Sequence, residues 1–329
     1  GMQLPAVVGA SAPYQNTADM RTRGWELSVN WRDQIGKVGY RVGFNLSDSQ
    51  SKIVKYNSNE SGILTSTLSN GSTFWNYYEG KDLGEIWGYE YDGFYTVDDF
   101  TDTSSWKLKE GVPSIDGYNP RPGDVKFKNL MDDDRGTNMI SGGDNTVSNP
   151  GDRKVIGNNT PRYLYGITLG ANFKGFDLNV FMQGTGKRDA WIANNLKFPL
   201  YSDFKFIALY KDLGNYWKPV DAANGDYTAA NPNAEFPRIY GNYGNQGSNY
   251  RQSDKYLSDA SYFRIKNVTL SYTFPKAWIT KASLSQLKAF VSIENLATFS
   301  SLPKGIDPET LSWNYPAFRT VSFGLNVTL

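Results

Sequence analysis

Apolar and polar residues alternate along several stretches of this chain. Residues 25–32 are the clearest case, because every second position is apolar and the positions between are polar. The apolar positions there are Trp25, Leu27, Val29 and Trp31. Neighbouring side chains of a β-strand point to opposite faces of the sheet, so alternation at a period of two predicts a strand with two chemically different faces.

The same alternation recurs in seven segments, and short turns join two pairs of them. The predicted strands cover roughly residues 23–32, 37–47, 162–173, 176–184, 262–274, 287–296 and 319–329. Residues 33–37 separate the first pair. Lys174 and Gly175 separate the second pair, with glycine at a position where a tight hairpin turn needs a positive φ. Both pairs are predicted to form antiparallel hairpins.

The length of the segments favours one kind of β-protein. Several run for nine to eleven residues, whereas strands of soluble domains are most often about 5 to 6 residues long. At about 3.3 Å per residue and a tilt near 45°, ten residues rise about 23 Å, close to the apolar band of about 25 Å in a membrane-spanning barrel. Aromatic residues near the strand ends fit the interfacial girdles of such barrels, and they fit a sandwich core as well.

The connections between the segments fall into two length classes. The short ones are residues 33–37, 174–175 and 275–286, and the long ones are residues 48–162, 184–261 and 296–318. Short turns on one side and long loops on the other are typical of outer-membrane barrels. Seven strands leave two open edges, which a membrane does not tolerate, so the chain is predicted to form part of a larger barrel.

Composition excludes several classes of function. The 329 residues include no Cys and no His, and the formal net charge is +1. Without Cys there are no disulfides, thiolate nucleophiles or Cys-based zinc sites, and without His the commonest general base is missing. The balanced charge gives no basic field for nucleic acid. No stretch approaches the 18 or more apolar residues of a membrane helix.

Carboxylates are the only candidate catalytic or metal-binding groups. Glu85, Glu90 and Asp92 offer pairs of the kind that glycosidases use, but an aromatic-rich β-protein supplies such pairs by chance. The sequence is therefore predicted to be non-enzymatic. It also lacks a Gly-rich phosphate loop, and no cofactor is predicted.

A second acidic group lies further along the chain. Asp132, Asp133 and Asp134, followed by Asp144 and Asp152, provide oxygen ligands of the type that Ca²⁺ uses. A solvated loop rich in turn-forming residues is the favoured interpretation, and no metal site is predicted.

The long loops contain many aromatic residues, which stack on sugar rings and pack against proteins. The five predicted to contact a ligand in the extracellular loops are Trp75, Tyr77, Tyr78, Trp191 and Trp217. The alternative for each is that it packs its own loop against a neighbouring loop.

Seven strings of residues resemble the C-terminal region of the SusC/RagA family, the TonB-linked outer-membrane transporters of Bacteroidetes. The strings are residues 20–28 (MRTRGWELS), 84–95 (GEIWGYEYDGFY), 122–128 (PGDVKFK), 152–163 (DRKVIGNNTPRY), 260–270 (ASYFRIKNVTL), 294–296 (ENL) and 319–328 (RTVSFGLNVT). They cover nearly the whole chain in the family's order. One departure is Leu329, where outer-membrane barrels usually end in an aromatic residue.

The resemblance implies an all-β fold in which residues 1–329 form the C-terminal part of a 22-stranded antiparallel transmembrane barrel with long extracellular loops. It also implies that a plug domain, a TonB-contacting segment and a signal peptide lie outside this chain. The implied partners are a SusD-like surface lipoprotein, the TonB complex acting through the plug region, outer-membrane lipid, and an oligosaccharide or peptide substrate.

The sequence therefore predicts a wall-and-loop segment of an outer-membrane importer. Alternation fixes two faces of a sheet but not which one meets lipid, and only the resemblance places the polar face toward a lumen. Two alternatives are a secreted β-sandwich that binds or cleaves carbohydrate and an outer-membrane barrel with a structural or adhesive role. The sequence does not identify the substrate.

Overall fold

A computed structural model describes residues 18–329 apart from 69–71, 132–137, 193–197, 199–210, 241–247, 281–282 and 312–316. Strands dominate the described residues, and the helical segments are single turns. The predicted all-β fold is confirmed. None of the helices among these residues has the length and apolar content needed to cross a bilayer.

Seven long strands are present where the alternation predicts them. Numbered with all strands along the chain, they are β1 (Ala18–Ile35), β2 (Val38–Tyr56), β11 (Arg162–Phe173), β12 (Phe176–Lys187), β17 (Tyr262–Thr273), β18 (Gln286–Ser300) and β19 (Thr320–Thr328). They form one seven-stranded sheet in the order β1-β2-β11-β12-β17-β18-β19, so each long strand neighbours the next one along the chain. The pairings whose register is defined are antiparallel.

Shorter elements occupy the connections. The short strands are β3 (Thr65–Thr67), β4 (Thr73–Trp75), β5 (Glu85–Tyr89), β6 (Tyr91–Phe94), β7 (Ser114–Ile115), β8 (Val125–Phe127), β9 (Met139–Ile140), β10 (Arg153–Asn158), β13 (Asp189–Trp191), β14 (Pro219–Asp221), β15 (Asp226–Ala229) and β16 (Leu257–Asp259). The helical turns are 3₁₀ segments at Val97–Asp99, Lys211–Leu213, Ala222–Asn224 and Asp254–Tyr256, and one α-helical turn, α1 (Lys276–Ile279). The long connections are therefore structured loops.

Several strands of the structure are longer than the sequence predicts. β1 has 18 residues and β2 has 19, against ten or eleven predicted for each. The second half of β2 begins with a polar run, DSQSK at 48–52, which hides the alternation. The first turn is correspondingly tighter than predicted, and it has Gly36 at a φ of 61°. In the second turn Lys174 and Gly175 both have positive φ, 49° and 88°, as a type I′ hairpin requires.

The chain divides into two compact units. The strand unit comprises residues 22–50, 160–190 and 258–329, and it contains most of the long sheet. The loop unit comprises residues 1–21, 51–159 and 191–257, of which the described part begins at residue 18.

One face of the strand unit carries apolar residues in register across six strands. One row is Val42, Leu169, Val180, Val268, Ile293 and Val321, and the next is Tyr40, Ala171, Leu178, Leu270, Val291 and Phe323. Many of these side chains are exposed, from 37% for Leu178 to 80% for Phe323. The apolar face is therefore continuous and open.

The opposite face of the same strands is polar. Its central row is Arg41, Gly170, Asn179, Thr269, Ser292 and Ser322. Arg41 donates to Asn179 across this row. A Cβ atom on Gly170 would lie 2.4 Å from Arg41 Nε, so glycine leaves the space that the long arginine side chain occupies. Alternation thus separates mostly apolar from mostly polar groups across these six strands, although Phe181 and Phe290 lie on the polar face.

A buried charge network ties the connection between β18 and β19 to the polar side of the strand unit. Arg264, 2% exposed, donates through Nη2 to Asp307 at 2.8 Å and lies 2.9 Å from Glu309 through Nη1. Glu309 also accepts from Gln183 at 2.6 Å and pairs with Lys266 at 3.2 Å. The paired acids compensate the cost of burying the guanidinium.

The loop unit contains several buried apolar clusters, and one of them is a core of six residues between positions 95 and 140. Its members, all buried, are Tyr95, Phe100, Ile115, Val125, Phe127 and Ile140. They come from short strands and turns within residues 95–140, which lack the periodicity of the long strands. The core therefore could not be identified from alternation.

A fully buried carboxylate, Asp124, lies beside this core. Its Oδ2 accepts from Tyr240 at 2.6 Å, from Tyr118 at 3.0 Å and from the backbone N–H of Arg121 at 2.8 Å. Its Oδ1 accepts from Asn249 at 3.0 Å. Burial raises the pKa of Asp124, and these hydrogen bonds oppose the rise. Asp124 thus connects parts of the loop unit that are distant in sequence.

Replacing Asp124 by Ala is expected to destabilise the loop unit by about 3 kcal/mol, because four donors lose their buried acceptor. Hydrogen exchange of the amides in residues 114–127 measures the effect. Asp98→Ala is the matched control, since Asp98 is exposed. Equal protection in the two variants would contradict the assigned role of Asp124.

Candidate ligand-binding cleft

The five aromatic residues predicted to contact a ligand occupy different environments. Tyr77 is 52% exposed and Trp75 is partly buried. Tyr78 and Trp217 are each 5% exposed. Trp191 packs against the buried Phe198. Trp75 lines a cleft formed by described residues. For all five residues, ligand binding stays a prediction.

Tyr78 belongs to a buried hydrogen-bonded cluster. Trp87 Nε1 donates to the Tyr78 hydroxyl at 3.0 Å, and that hydroxyl donates to Glu85 Oε2 at 2.5 Å. Burial and the Glu85 carboxylate raise the pKa of Tyr78. Leu64 completes the apolar surroundings. This burial favours the alternative that Tyr78 packs within its own loops, and ligand contact by Tyr78 stays a prediction.

Trp217 packs against a backbone turn. A Cβ atom on Gly123 would lie 2.3 Å from Trp217 Cδ2, and Gly123 has a φ of 89°. Only glycine accommodates both the positive φ and the close indole ring. Trp217 therefore packs within the loop unit, and nothing in the local sequence indicates Gly123 as its partner.

The cleft that contains Trp75 lies within the loop unit and has a volume of about 370 Å³. Its walls include the rings of Trp75, Trp87 and Tyr89 together with the side chains of Arg153, Arg251 and Gln252. β5 (Glu85–Tyr89) pairs with β10 (Arg153–Asn158) and places Trp87, Tyr89 and Arg153. Residue 252 comes from a loop more than 160 positions further along the chain than Trp87.

Gly88 permits the loop around residue 252 to approach β5. A Cβ atom there would lie 2.6 Å from the carbonyl oxygen of Gln252. The backbone N–H of Tyr89 donates to this carbonyl at 2.9 Å. Trp75 Nε1 in turn donates to the Gln252 side-chain oxygen at 3.4 Å. The floor of the cleft is thus fixed by backbone contact.

Arg153 is held firmly at the wall. Its Nε donates to the carbonyl of Pro150 at 3.1 Å, and its Nη2 donates to the carbonyl of Gly142 at 2.7 Å. The guanidinium lies 5.8 Å from the Trp75 ring centre. Burial lowers the pKa of Arg153, although an arginine stays charged at physiological pH.

Arg251 is the second cation of the cleft. Its guanidinium lies 5.9 Å from the Tyr89 ring centre, and its Nη2 donates to the carbonyl of Asp116 at 3.1 Å. Neither Arg251 nor Arg153 forms an ion pair with a residue that the structure describes. The cleft therefore combines flat aromatic walls with positive charge.

The sequence did not identify Arg153, Arg251 or Gln252 as site residues. Arg153 does lie in one of the strings that carry the family resemblance, but no ligand contact is predicted for it. Periodicity gives no information about which loops meet, so the grouping depends on the fold.

Two of the three candidate catalytic carboxylates, Glu85 and Glu90, are engaged in other contacts. Glu85 accepts from Tyr78, and Glu90 pairs with both Lys128 and Lys154. Hydrogen bonds from the two lysines lower the pKa of Glu90 from 4.5 to about 2. A carboxyl that is ionised above that pH is unsuited to act as a general acid.

The acidic residues considered for calcium are placed only in part. Asp132, Asp133 and Asp134 lie outside the described residues. Asp152 is buried and accepts from the backbone N–H groups of Leu130 at 2.7 Å and Ser141 at 2.8 Å. In the described part of the chain, no group of three acidic side chains is placed to hold a metal ion.

Comparison with known proteins agrees with the fold. No protein-family model matches the chain. Over 98% of its length it is 28% identical to TonB-dependent receptor P3 of Formosa agariphila, and it covers 30% of that receptor. It is 22% identical to TonB-dependent receptor P26 of the same organism over 99% of its length, covering 31% of the receptor. A solved structure of the RagAB peptide transporter is 20% identical, with a TM-score of 0.63, over 98% of this chain and 31% of the solved one.

The predicted resemblance to the TonB-dependent receptors is confirmed. The chain spans about a third of the length of the curated receptors it matches. Its seven-stranded antiparallel sheet has the fold of a segment of a TonB-dependent receptor barrel. The matched proteins are receptors and a transporter, in agreement with the prediction that this chain is not an enzyme.

The ion pairs of Glu90 predict a dependence of stability on acid. Because the folded pKa is lowered, the pairs stabilise the loop unit above the ordinary pKa of 4.5, and this contribution is lost as the pH falls toward about 2. The melting temperature of Glu90→Gln should therefore lie below that of the native protein at pH 7 and converge with it near about pH 2.

Thermal unfolding of the full-length protein in detergent, followed by circular dichroism, measures this difference. Asp92→Asn is the control, since Asp92 is exposed and forms no ion pair with a described residue. A constant difference across the pH range would show that Glu90 acts through packing instead of charge.

Proposed function

We propose that this chain is part of the wall and the extracellular loops of an outer-membrane, TonB-dependent importer of oligosaccharides or peptides. The observation that carries the proposal is the apolar face of the strand unit, which is in register across six strands. Similarity to TonB-dependent receptors over 98% of the chain supports it.

The apolar face is the lipid-facing surface in this proposal. Soluble proteins rarely expose a large continuous apolar patch, because water penalises it. Here Val321, Phe323, Leu325 and Val327 are between 51% and 80% exposed along a single strand. A soluble sandwich would bury these side chains against a second sheet. A bilayer makes the same exposure favourable.

The polar face is the lumenal surface. Arg41, Asn179 and Thr269 lie on it, and a water-filled barrel interior accepts such groups. Strands β1 and β19 are the two edges of the described sheet. A membrane requires every backbone group to be paired, so both edges need further strands. In the proposal, residues 1–329 are the C-terminal portion of the barrel, and a plug domain belongs to the complete protein.

Partners and location follow from the same proposal. A SusD-like surface lipoprotein caps the barrel, the TonB complex supplies energy through the plug region, and the protein resides in the outer membrane of a Bacteroidetes-like cell. The solved structures that this chain resembles are of the RagAB peptide transporter, also called a peptide importer. This similarity supports peptides as one substrate class.

Fractionation of native cells tests the location, and uptake tests the activity. Antibody against this chain should detect the protein in the outer membrane, and deletion of the gene should abolish uptake of labelled oligosaccharides or peptides in a manner that depends on TonB. Detection in the soluble or secreted fraction would refute the proposal.

Two neighbouring positions on β19 provide a sharper test of the lipid-facing surface. Phe323→Arg should cost about 2–4 kcal/mol because it places a charge in the apolar band, so less protein should assemble in the outer membrane. Ser322→Arg adds the same side chain on the polar face and should assemble normally. Heat-modifiable mobility in gel electrophoresis measures the folded fraction. Equal losses in both variants would reject the assignment of the faces.

A further inference from the structure

We infer that the cleft of the loop unit binds a carboxylate carried by the imported substrate, with Arg153 and Arg251 as the recognising cations. This inference rests on the proposed import function and narrows its substrate class to acidic oligomers.

Arg153 and Arg251 both have side-chain N–H donors that no described residue accepts from. An arginine has five N–H donors. Among contacts with described residues, Arg153 uses Nε and Nη2, and Arg251 uses Nη2. Nη1 of Arg153 and both Nε and Nη1 of Arg251 donate to no described residue. Charge-assisted hydrogen bonds from guanidinium to carboxylate are among the strongest in proteins.

The positive charge of Arg153 is not paired with an acidic side chain among the described residues. Arg153 is half-buried, and carbonyl and amide oxygens are its partners. Burying a cation costs free energy unless an anion compensates it. A bound carboxylate would supply the missing compensation, whereas a neutral ligand would not. The two positive side chains also disfavour a cationic ligand at this position.

The cleft has a shape that suits a ligand with both a flat or apolar part and a carboxylate. Trp75, Trp87 and Tyr89 contribute flat apolar walls beside the guanidinium groups. A volume of about 370 Å³ accommodates a ligand fragment. A sugar ring or the side chain of a peptide can contact these rings while its carboxylate meets an arginine. The arrangement therefore fits a uronate residue of an oligosaccharide or a glutamate residue of a peptide.

Binding to the purified full-length protein in detergent, measured by isothermal titration calorimetry, tests the inference. The probes are tetraglutamate and tetragalacturonate, each compared with an uncharged counterpart, tetraglutamine and fully methyl-esterified tetragalacturonate. At least one acidic probe should bind about 10-fold or more tightly than its counterpart. The probe that does so identifies the source of the carboxylate. Raising the ionic strength should weaken that binding.

The variant Arg251→Gln removes one cation and should weaken the acidic probe about 10-fold while leaving its uncharged counterpart unaffected. Arg121→Gln is a closely matched control. The Arg121 guanidinium lies 5.9 Å from the Trp106 ring centre and donates to one carbonyl, that of Pro120, at 3.0 Å. Arg121 does not line the cleft.

Two results would overturn the inference: acidic probes that bind no more tightly than the uncharged ones, or an equal loss of affinity in Arg251→Gln and Arg121→Gln. Either result leaves an outer-membrane importer possible, with its substrate recognised elsewhere. Cell fractionation decides the proposed import function independently, because the calorimetric experiment does not depend on where the protein resides.

Discussion

Strand register is the constraint on which the strand unit depends. Side chains alternate between faces, so a slip of one residue in any pairing would turn the apolar residues of a strand onto the polar face. Leu169 meets Val42 on one side and Val180 on the other, and the same row continues to Val321. The turn at Lys174 and Gly175 fixes one register through its two positive φ angles. Register thus decides the chemistry of both surfaces, and the proposed membrane environment would penalise any slip.

Polar contacts have a larger part in the loop unit. Its buried apolar residues form separate clusters, and the buried carboxylate of Asp124 organises the surrounding chain through donors from four residues. Burial of such a group is costly, and full hydrogen bonding is what makes it tolerable. The same logic explains Arg264 in the strand unit, where Asp307 and Glu309 compensate a nearly inaccessible guanidinium. Each unit therefore uses one compensated buried charge to hold a segment that regular strand pairing does not hold.

The sequence predicted the seven long strands because alternation is a local signal. It missed the second half of β2, where polar residues interrupt the pattern. In the loops it predicted ligand contacts for Trp75, Tyr78 and Trp217 alike, although Tyr78 and Trp217 are buried and Trp75 lines a cleft. Burial in a loop depends on contacts between distant segments, such as Trp217 against Gly123. Arg153 and Arg251 were missed for the same reason, since nothing in either local sequence shows that the two lie on one cleft.

The partners of Asp124 have a consequence for the order in which this protein folds. Tyr240 and Asn249 follow it by 116 and 125 residues, and strands of the long sheet lie between them in the sequence. The hairpin of β11 and β12 closes over a two-residue turn and can form early. The surroundings of Asp124 close fully only when segments 116 and 125 residues apart meet, and contacts between such distant positions form slowly. Until then the carboxylate remains hydrated, so the loop unit matures after the first hairpins of the sheet.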